Sequence, residues 1–346
     1  MKILILKPSS LGDVIQALPV LRLLKLHFPQ AQIFWWLDSA LAPLLDHDPD
    51  LAGVVPFERR RWAAPVRWPE MLRGIHWMRQ QQFDLVIDLQ SLARSGAFAW
   101  LARGQFLIGL DDAREGARGY YDVAVPRQSF YTHAVDWYLS VLPPLTVPVH
   151  NNFVWLPRQA DVAAAVKLKW RTQNKNWIVF QPGARWKNKR WPTGHFAELA
   201  RLLAREFSTA HFAILGNAGD KPDGETIRRA APERCLNLCG ETSLPAMVEW
   251  IRLCDLMITN DTGPMHAAAA LGKPLVALFG PTEPRRTGPY RRMEDVLRIE
   301  LPCSPCLKSS CSWKNPVECL TAISPEAVFE FVRKKFHGSQ SGAGSH

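Results

Sequence analysis

The sequence predicts an α/β protein of two doubly wound domains joined in tandem. Its 346 residues exceed the length of one typical domain and suit two, each large enough to bury a core. Short β-like runs alternate with helical patterns in both halves, as parallel strands with helical crossovers require. The proline-rich stretch from Pro143 to Pro157 lacks periodicity. We therefore predict domains at 1–157 and 158–337, and a disordered Gly/Ser-rich tail at 338–346.

The first half shows the alternation from its start. The first apolar run lies between Lys2 and Lys7 with no cleavage-site pattern after it, which predicts a strand rather than a signal peptide. A helical pattern covers Leu11 to His27. Further strands are predicted at Gln32 to Leu37, Phe83 to Leu89, Phe106 to Ile108 and Tyr121 to Val125.

The second half repeats the pattern. Its apolar runs are short and bounded by turn residues, which is typical of buried parallel strands. Strands are predicted at Trp177 to Phe180, Ala210 to Leu215, Leu256 to Thr259 and Leu275 to Phe279. Helices are predicted at His195 to Phe207, Met265 to Leu271 and Pro325 to Phe336.

Composition and net charge indicate which class of protein this is and which kinds of partner it can bind. Hydrophobic residues make up 47% of the chain and charged residues 21%, as in a folded globular protein. No run approaches the roughly 20 apolar residues that span a bilayer, and we expect a cytoplasmic protein. The net charge of +10 favours anionic partners such as nucleotides or phosphorylated lipids. Because no nucleic-acid-binding motif accompanies this charge, we expect no nucleic-acid partner.

Segments that follow predicted strands are the places to look for chemistry, because open α/β sheets bind ligands beyond the carboxyl ends of their strands. The first such segment, Lys7 to Asp13, ends in a Gly-Asp pair near a helix start. Asp13 either points toward a ligand or complements the helix N-terminus. The residues alone leave both interpretations open.

A basic segment, Gln181 to Pro192, lies between a predicted strand and a helix. It carries four cations in the six positions 185–190. Such a cluster can neutralise a diphosphate. A solvated basic face is the alternative.

Two more strand-to-helix segments lie in the second half. In Asn260 to His266, Gly263 allows a close ligand approach and Pro264 suits the first helical turn, so free N–H groups would face a phosphate; a capped core helix is the alternative. In Gly216 to Asp220, the carboxylate of Asp220 could hold ribose hydroxyls. No G-x-G-x-x-G follows the first strand, which disfavours a dinucleotide-dependent oxidoreductase.

Four segments in the same order resemble glycosyltransferase family 9, the ADP-heptose lipopolysaccharide heptosyltransferases: Ser9 to Asp13, Lys189 to Pro192, Asn260 to His266 and Phe279 to Pro284. The resemblance implies a GT-B fold, in which two Rossmann-like domains face a central cleft. It also implies an inverting transfer of L-glycero-D-manno-heptose from ADP-heptose to the inner core of lipopolysaccharide.

The resemblance further implies roles for residues of this chain. Asp13 would be the general base, Lys189 would neutralise the diphosphate and Asp220 would contact the ribose. The remaining donor-site assignments are Asp261, Thr262, Gly263, His266 and Lys187. No metal or other cofactor is expected for the transfer, because a lysine and helix-terminal amides can stabilise the departing ADP.

The N-terminal half binds the acceptor in the family, so its basic residues are acceptor candidates. Arginine guanidinium groups match phosphates and acidic sugars, although a solvated charge run is the alternative. The candidates are Ser10, Arg59, Arg60, Arg61 and Arg118. The start of the chain resembles the first heptosyltransferase, which acts on Kdo-lipid A. Pro302 to Cys306 resembles the second, which acts on heptosyl-Kdo-lipid A, so the acceptor stays open.

Four of the seven cysteines form a C-x2-C-x4-C-x7-C pattern: Cys303, Cys306, Cys311 and Cys319. This spacing is compatible with a structural zinc or iron site of four thiolates. Resemblance of the segment to family members without an evident metal favours buried thiols instead. The other three, Cys235, Cys239 and Cys254, are predicted core residues.

Two other functions are compatible with these segments. A GT-B enzyme could use a different nucleotide sugar, as a transferase or an epimerase. A catalytically silent relative could bind nucleotide or glycan as a scaffold, although the presence of both Asp13 and Lys189 disfavours this. A lipid acceptor implies peripheral contact with the cytoplasmic face of the inner membrane.

Overall fold

The computed structural model describes residues 1–59, 61–112 and 115–340, with side chains through residue 335. The chain divides into two compact units, Met1–Pro157 and Arg158–His346. Each unit contains one six-stranded sheet, and all pairings are parallel. The predicted α/β class with two doubly wound domains is therefore confirmed.

The first unit contains the strands β1 (Lys2–Leu6), β2 (Gln32–Asp38), β3 (Gly53–Phe57), β4 (Leu85–Asp88), β5 (Phe106–Asp111) and β6 (Val123–Pro126). Its helices are α1 (Leu11–His27), α2 (Trp68–Gln80), α3 (Ala93–Leu101) and α4 (Ala134–Leu139). The strand order is β3-β2-β1-β4-β5-β6. The order reverses between β1 and β4, where such sheets bind ligands.

The second unit begins with α5 (Ala160–Trp170) and contains the strands β7 (Asn176–Gln181), β8 (Ala210–Ile214), β9 (Cys235–Asn237), β10 (Leu256–Asn260), β11 (Leu275–Leu278) and β12 (Val296–Leu297). Its other helices are α6 (Thr193–Glu206), α7 (Lys221–Arg228), α8 (Leu244–Leu253), α9 (Gly263–Ala270), α10 (Pro284–Thr287), α11 (Glu318–Thr321) and α12 (Pro325–Gln340). The strand order β12-β11-β10-β7-β8-β9 reverses between β7 and β10.

Single turns of 3-10 helix lie in the connections: Ala42–Leu44, Pro65–Arg67, Ala117–Tyr120, Pro143–Leu145, Lys187–Lys189, Ala218–Asp220, Pro232–Arg234 and Met293–Asp295. The sequence predictions miss three strands, β3, β9 and β12, and each of them is an edge strand. β3 contains Pro56, which an edge position tolerates, and the other two are three and two residues long. Short edge strands carry too few residues for a clear periodicity.

The last helix is longer than predicted. α12 continues to Gln340 rather than ending at Phe336, so the predicted disorder is wrong for residues 338–340. A single glycine costs about 1 kcal/mol within a helix and does not by itself end one. The rest of the predicted tail, 341–346, lies outside the described residues.

Helix α1 is buried at nearly every position from Gly12 to Leu24 and packs against α4. Such a helix is buried rather than amphipathic. Among the described residues, neither α1 nor any other helix is long and apolar enough to cross a membrane. Asp13, one of the predicted site residues, lies in the first turn of α1.

Arg22 anchors the middle of α1. Its guanidinium group is 4% exposed, with Nη2 at 2.6 Å from Asp48 Oδ2 and Nη1 at 2.7 Å from Asp50 Oδ2. Nη2 also donates to the carbonyl of Trp155 at 3.1 Å. One buried cation therefore connects α1 to the loop before β3 and to the last residues of the first unit.

Replacing Arg22 with methionine is expected to lower the free energy of unfolding by about 3–5 kcal/mol, because two carboxylates lose their buried counter-ion. Urea unfolding of the full chain measures the effect. Arg201→Met is the matched control, since Arg201 forms an exposed ion pair with Glu198 and should cause little change. Equal shifts for the two variants would contradict the anchoring role.

Candidate functional site

Polar segments lie at the carboxyl ends of the strands on either side of each reversal in strand order. In the first unit, one segment follows β1 and the other follows β4. In the second unit, the corresponding segments follow β7 and β10. The predicted site residues Asp13, Lys189 and Asp261 all lie on or directly after these segments.

The Asp13 carboxylate is held by three donors. Its Oδ2 accepts hydrogen bonds from the backbone N–H of Ser10 at 2.9 Å and from the Ser10 hydroxyl at 2.6 Å. Its Oδ1 accepts a bond from the Tyr138 hydroxyl at 3.2 Å. Asp13 thus complements the N-terminus of α1, as one of the two interpretations predicts, and both carboxylate oxygens are also oriented.

Tyr138 is itself placed by a buried lysine. The Lys7 ammonium lies 4.6 Å from the centre of the Tyr138 ring, a cation–π geometry. Lys7 Nζ also donates to the carbonyl of Leu89, just after β4, at 3.0 Å. The segments after β1 and β4 and helix α4 are therefore linked at Asp13, a connection that the sequence predictions miss.

Asp88 fixes the turn after β4. This carboxylate is fully buried, and its burial raises its pKa. It accepts hydrogen bonds from the Tyr121 hydroxyl at 2.7 Å and from the N–H of Gln90 at 2.8 Å. Because the turn is held in this way, the carbonyl of Leu89 is positioned to receive Lys7.

In the second unit, Lys189 forms an ion pair with a buried carboxylate. Its Nζ lies 2.6 Å from Oδ2 of Asp261, and the same oxygen accepts a bond from the Thr282 hydroxyl at 2.6 Å. The Lys189 ammonium also lies 4.7 Å from the centre of the Trp186 ring. Three of the segments on which the resemblance depends therefore converge on one carboxylate.

Asn260, the last residue of β10, holds the basic segment in place. Its Oδ1 accepts a bond from the N–H of Trp191 at 3.0 Å, and its Nδ2 donates to the carbonyl of Pro182 at 2.7 Å. The Trp191 indole N–H donates to the carbonyl of Ile323 at 2.8 Å. Both ends of the segment that carries Lys189 are thereby fixed to the sheet and core.

Helix α9 begins directly after Asp261, with Thr262 as its N-cap and Gly263 as its first residue. A helix N-terminus presents N–H groups and a partial positive charge to anions. His266 lies in the first turn and is buried. Lys187 is exposed on the basic segment, unlike the half-buried Lys189.

Asp220, the predicted ribose ligand, lies in a buried position. Asp220 is 1% exposed, and its carboxylate lies 3.0 Å from Arg190 Nη1 and accepts the N–H of Asn217 at 3.0 Å. A Cβ added at Gly183 would lie 2.4 Å from Asp220 Oδ2. Asp220 therefore holds the adjacent loops together, and its contact with the ribose stays a prediction.

The acceptor candidates lie on exposed parts of the first unit. Arg59 and Ser10 are exposed, Arg61 is paired with Glu70 at 3.1 Å, and Arg118 is paired with Asp111 at 3.1 Å. Such exposed pairs are weak and exchange readily with other anions. The remaining candidate, Arg60, lies outside the described residues.

The four patterned cysteines line one cavity of about 20 Å³. Within the described part of the chain, however, no three His, Cys, Asp or Glu side chains are arranged to hold a metal ion. Burial raises the pKa of the Cys319 thiol to about 11. Of the four, only Cys319 is buried, so the favoured interpretation as buried thiols holds for that residue alone, and the zinc or iron site stays an alternative.

The three other cysteines, Cys235, Cys239 and Cys254, are buried as predicted. Burial raises the pKa of each thiol to about 12. They behave as small apolar residues of the core of the second unit.

Comparison with known proteins gives consistent matches. Residues 71–316 match the model of glycosyltransferase family 9 (heptosyltransferase). The chain is 32% identical to lipopolysaccharide heptosyltransferase 1 of Pseudomonas aeruginosa, over 95% of this chain and 96% of the relative. It is 31% identical to lipopolysaccharide heptosyltransferase 2 of Escherichia coli, over 95% and 97%. The solved structure of E. coli ADP-heptose lps heptosyltransferase II matches with a TM-score of 0.80 at 27% identity, covering 98% of this chain and 100% of that one.

Proposed function

The chain belongs to glycosyltransferase family 9, and we propose that it transfers L-glycero-D-manno-heptose from ADP-heptose to the inner core of lipopolysaccharide with inversion at the anomeric carbon. The structural relative is named as an ADP-heptose heptosyltransferase, and the sequence relatives are named as lipopolysaccharide heptosyltransferases. The acceptor would be Kdo-lipid A or its monoheptosylated form.

The family match confirms the resemblance predicted from four short segments, and the chain is a glycosyltransferase. The similarity in fold to the E. coli heptosyltransferase II structure confirms the predicted GT-B fold. Relatives of both types, 1 and 2, match at nearly equal identity over nearly equal lengths. The acceptor is therefore a question for experiment.

On the acceptor side, Asp13 would remove the proton from the attacking hydroxyl as the bond to the anomeric carbon forms. A carboxylate can act in this way once it is positioned within hydrogen-bond reach of the hydroxyl. Ser10 and Tyr138 hold both oxygens, so little reorientation is needed. The proposed acceptor contacts are Ser10, Arg59, Arg60, Arg61 and Arg118.

On the donor side, the bond between the anomeric carbon and the β-phosphate oxygen breaks, and ADP departs with the electron pair. Lys189 would stabilise the charge that develops on this oxygen. The N–H groups at the start of α9 add a second positive element, with Thr262 and Gly263 next to the phosphates. Asp261 would position Lys189 and contact the heptose, and Lys187 and His266 complete the proposed donor site.

The observation that carries this proposal is the convergence of Lys189, Asp261 and Thr282 beside the start of α9. Donor profiling tests it: ADP-heptose, ADP-glucose and UDP-sugars are offered with an inner-core acceptor, and nucleoside diphosphate release is measured. Release from ADP-heptose alone is expected. Release from another donor alone would contradict the proposal, and ADP binding without any turnover would identify a scaffold.

Tyr138→Phe is expected to lower kcat about tenfold with little change in KM for ADP-heptose. The variant removes one hydrogen bond to a charged carboxylate, and such bonds contribute about 1.5–3 kcal/mol when made. Steady-state kinetics at saturating acceptor measure the effect. Tyr131→Phe on the same unit is the control, because its ring is half exposed. An unchanged kcat, or a change in KM alone, would contradict a positioning role.

A further inference from the structure

The first unit contains a stretch of apolar residues that is exposed to solvent. Residues 63–69, which follow β3 and include the first two residues of α2, are exposed at all seven positions, and six of these residues are apolar. Val66 is 80% exposed, Trp68 52%, and Leu72 on the next turn of α2 60%. We call residues 63–69 together with Leu72 the 63–72 surface. Clustered exposed apolar residues mark an interaction site more often than single ones do.

The exposed side chains of the 63–72 surface are not needed to fill the core of the first unit. α2 already packs Met71, Ile75 and Met78 against the core of the first unit. Trp62, just before the surface, stacks on Phe98 with ring centres 6.0 Å apart. The core positions near this surface are therefore already filled by neighbouring residues. The exposed residues project into solvent from a well-packed segment.

The net positive charge around the 63–72 surface indicates the chemistry of its partner. Residues 58–73 contain five arginines and two glutamates, a net charge of +3 by subtraction. Aromatic and aliphatic side chains with surrounding arginines match the interface of an anionic bilayer. A self-complementary contact between two copies would instead place arginines opposite arginines. The charge thus favours a lipid surface over a second copy of this chain.

The position of the surface within the unit fits the same partner. β1, β2 and β3 are parallel neighbours, so their carboxyl ends lie at one edge of the sheet. The 63–72 surface follows β3 and the segment of Asp13 follows β1, so both connections leave the sheet at this edge. A lipid-anchored acceptor could therefore keep its acyl chains in the bilayer while its sugar reaches Asp13.

We propose that the 63–72 surface docks this protein on an anionic membrane. Trp68, Val66 and Leu72 enter the interface, and the neighbouring arginines contact lipid phosphates. The docking itself does not depend on which sugar is transferred. Only its link to the lipid acceptor rests on the function proposed above.

Vesicle sedimentation of the full chain tests the docking. Vesicles of phosphatidylcholine alone and vesicles that also contain phosphatidylglycerol are the probes. Wild type is expected to sediment with the anionic vesicles only, less so as salt increases. The double variant Trp68→Glu, Leu72→Glu should bind at least tenfold more weakly. The control Leu168→Glu, at an 81% exposed leucine of the second unit, should bind as wild type does.

Equal binding by wild type and the double variant would overturn the proposal. Loss of a dimer in the double variant, with vesicle binding retained, would also overturn it and assign the surface to a second copy. A turnover assay separates this proposal from the proposed function. With a deacylated acceptor the double variant should match wild type, and with a vesicle-embedded acceptor it should be at least tenfold slower. Vesicle binding as expected without heptose transfer would leave the docking standing and reject the transferase assignment.

Discussion

Asp13→Asn is expected to lower kcat by about 10²–10⁴-fold, the range that proton transfer by a positioned side chain contributes. Asparagine has nearly the same shape as aspartate but cannot take the acceptor proton. The affinity for ADP-heptose should be nearly unchanged, because the proposed donor residues belong to the second unit. Steady-state kinetics at saturating substrates and titration with ADP-heptose in the absence of acceptor measure the two quantities separately.

Asp46→Asn is the matched control for this variant, since Asp46 is an exposed carboxylate of the same unit. It should leave kcat within about twofold of wild type, by the ordinary behaviour of surface substitutions. A loss below tenfold in Asp13→Asn would contradict the base assignment. A rise in KM for the acceptor with unchanged kcat would instead make Asp13 a binding residue only.

Lys189→Met is the second variant with a large expected effect. Removal of one preorganised group that stabilises transition-state charge costs about 10²–10³-fold in kcat. ADP should also bind more weakly, because the departing diphosphate loses a cation. Lys187→Met is the control, because Lys187 is exposed and should make a smaller contribution.

A purely structural explanation of the Lys189 effect can be tested with one more variant. Lys189→Met leaves Asp261 buried without its cation, which alone is unfavourable. In Lys189→Met, Asp261→Asn, the unpaired charge is removed. Activity in the double variant far below that of Asp261→Asn alone would support a role of Lys189 in the transfer. Recovery of activity in the double variant would contradict it and reduce Lys189 to the counter-ion of Asp261.

Much of the fold can be predicted from the sequence, because buried parallel strands give short apolar runs with turn residues at both ends. The predicted bounds of β1 and β7, the central strands next to each reversal, agree with the structure within two residues. β3 escapes prediction, because its proline interrupts the pattern of an edge strand. The predicted α12 is too short, because a glycine without a following proline is a weak stop signal.

The site can be predicted only in part, because long-range contacts leave no local pattern. Asp13 and Lys189 stand out as a carboxylate and a cation beside helix starts. Tyr138 is 125 residues from Asp13, and nothing in its neighbourhood indicates their hydrogen bond. The ion pair between Asp220 and Arg190 likewise leaves no pattern in the sequence, and only the structure shows that this carboxylate is buried.

The most direct measurement of the central proposal is the mass of the acceptor after incubation with ADP-heptose. Kdo-lipid A and its monoheptosylated form are offered in parallel to wild type and Asp13→Asn, with EDTA present throughout. We predict that wild type adds one heptose to one of the two acceptors, and that Asp13→Asn adds none on the same time scale. No added heptose on either acceptor, from a protein that binds ADP, would contradict the account.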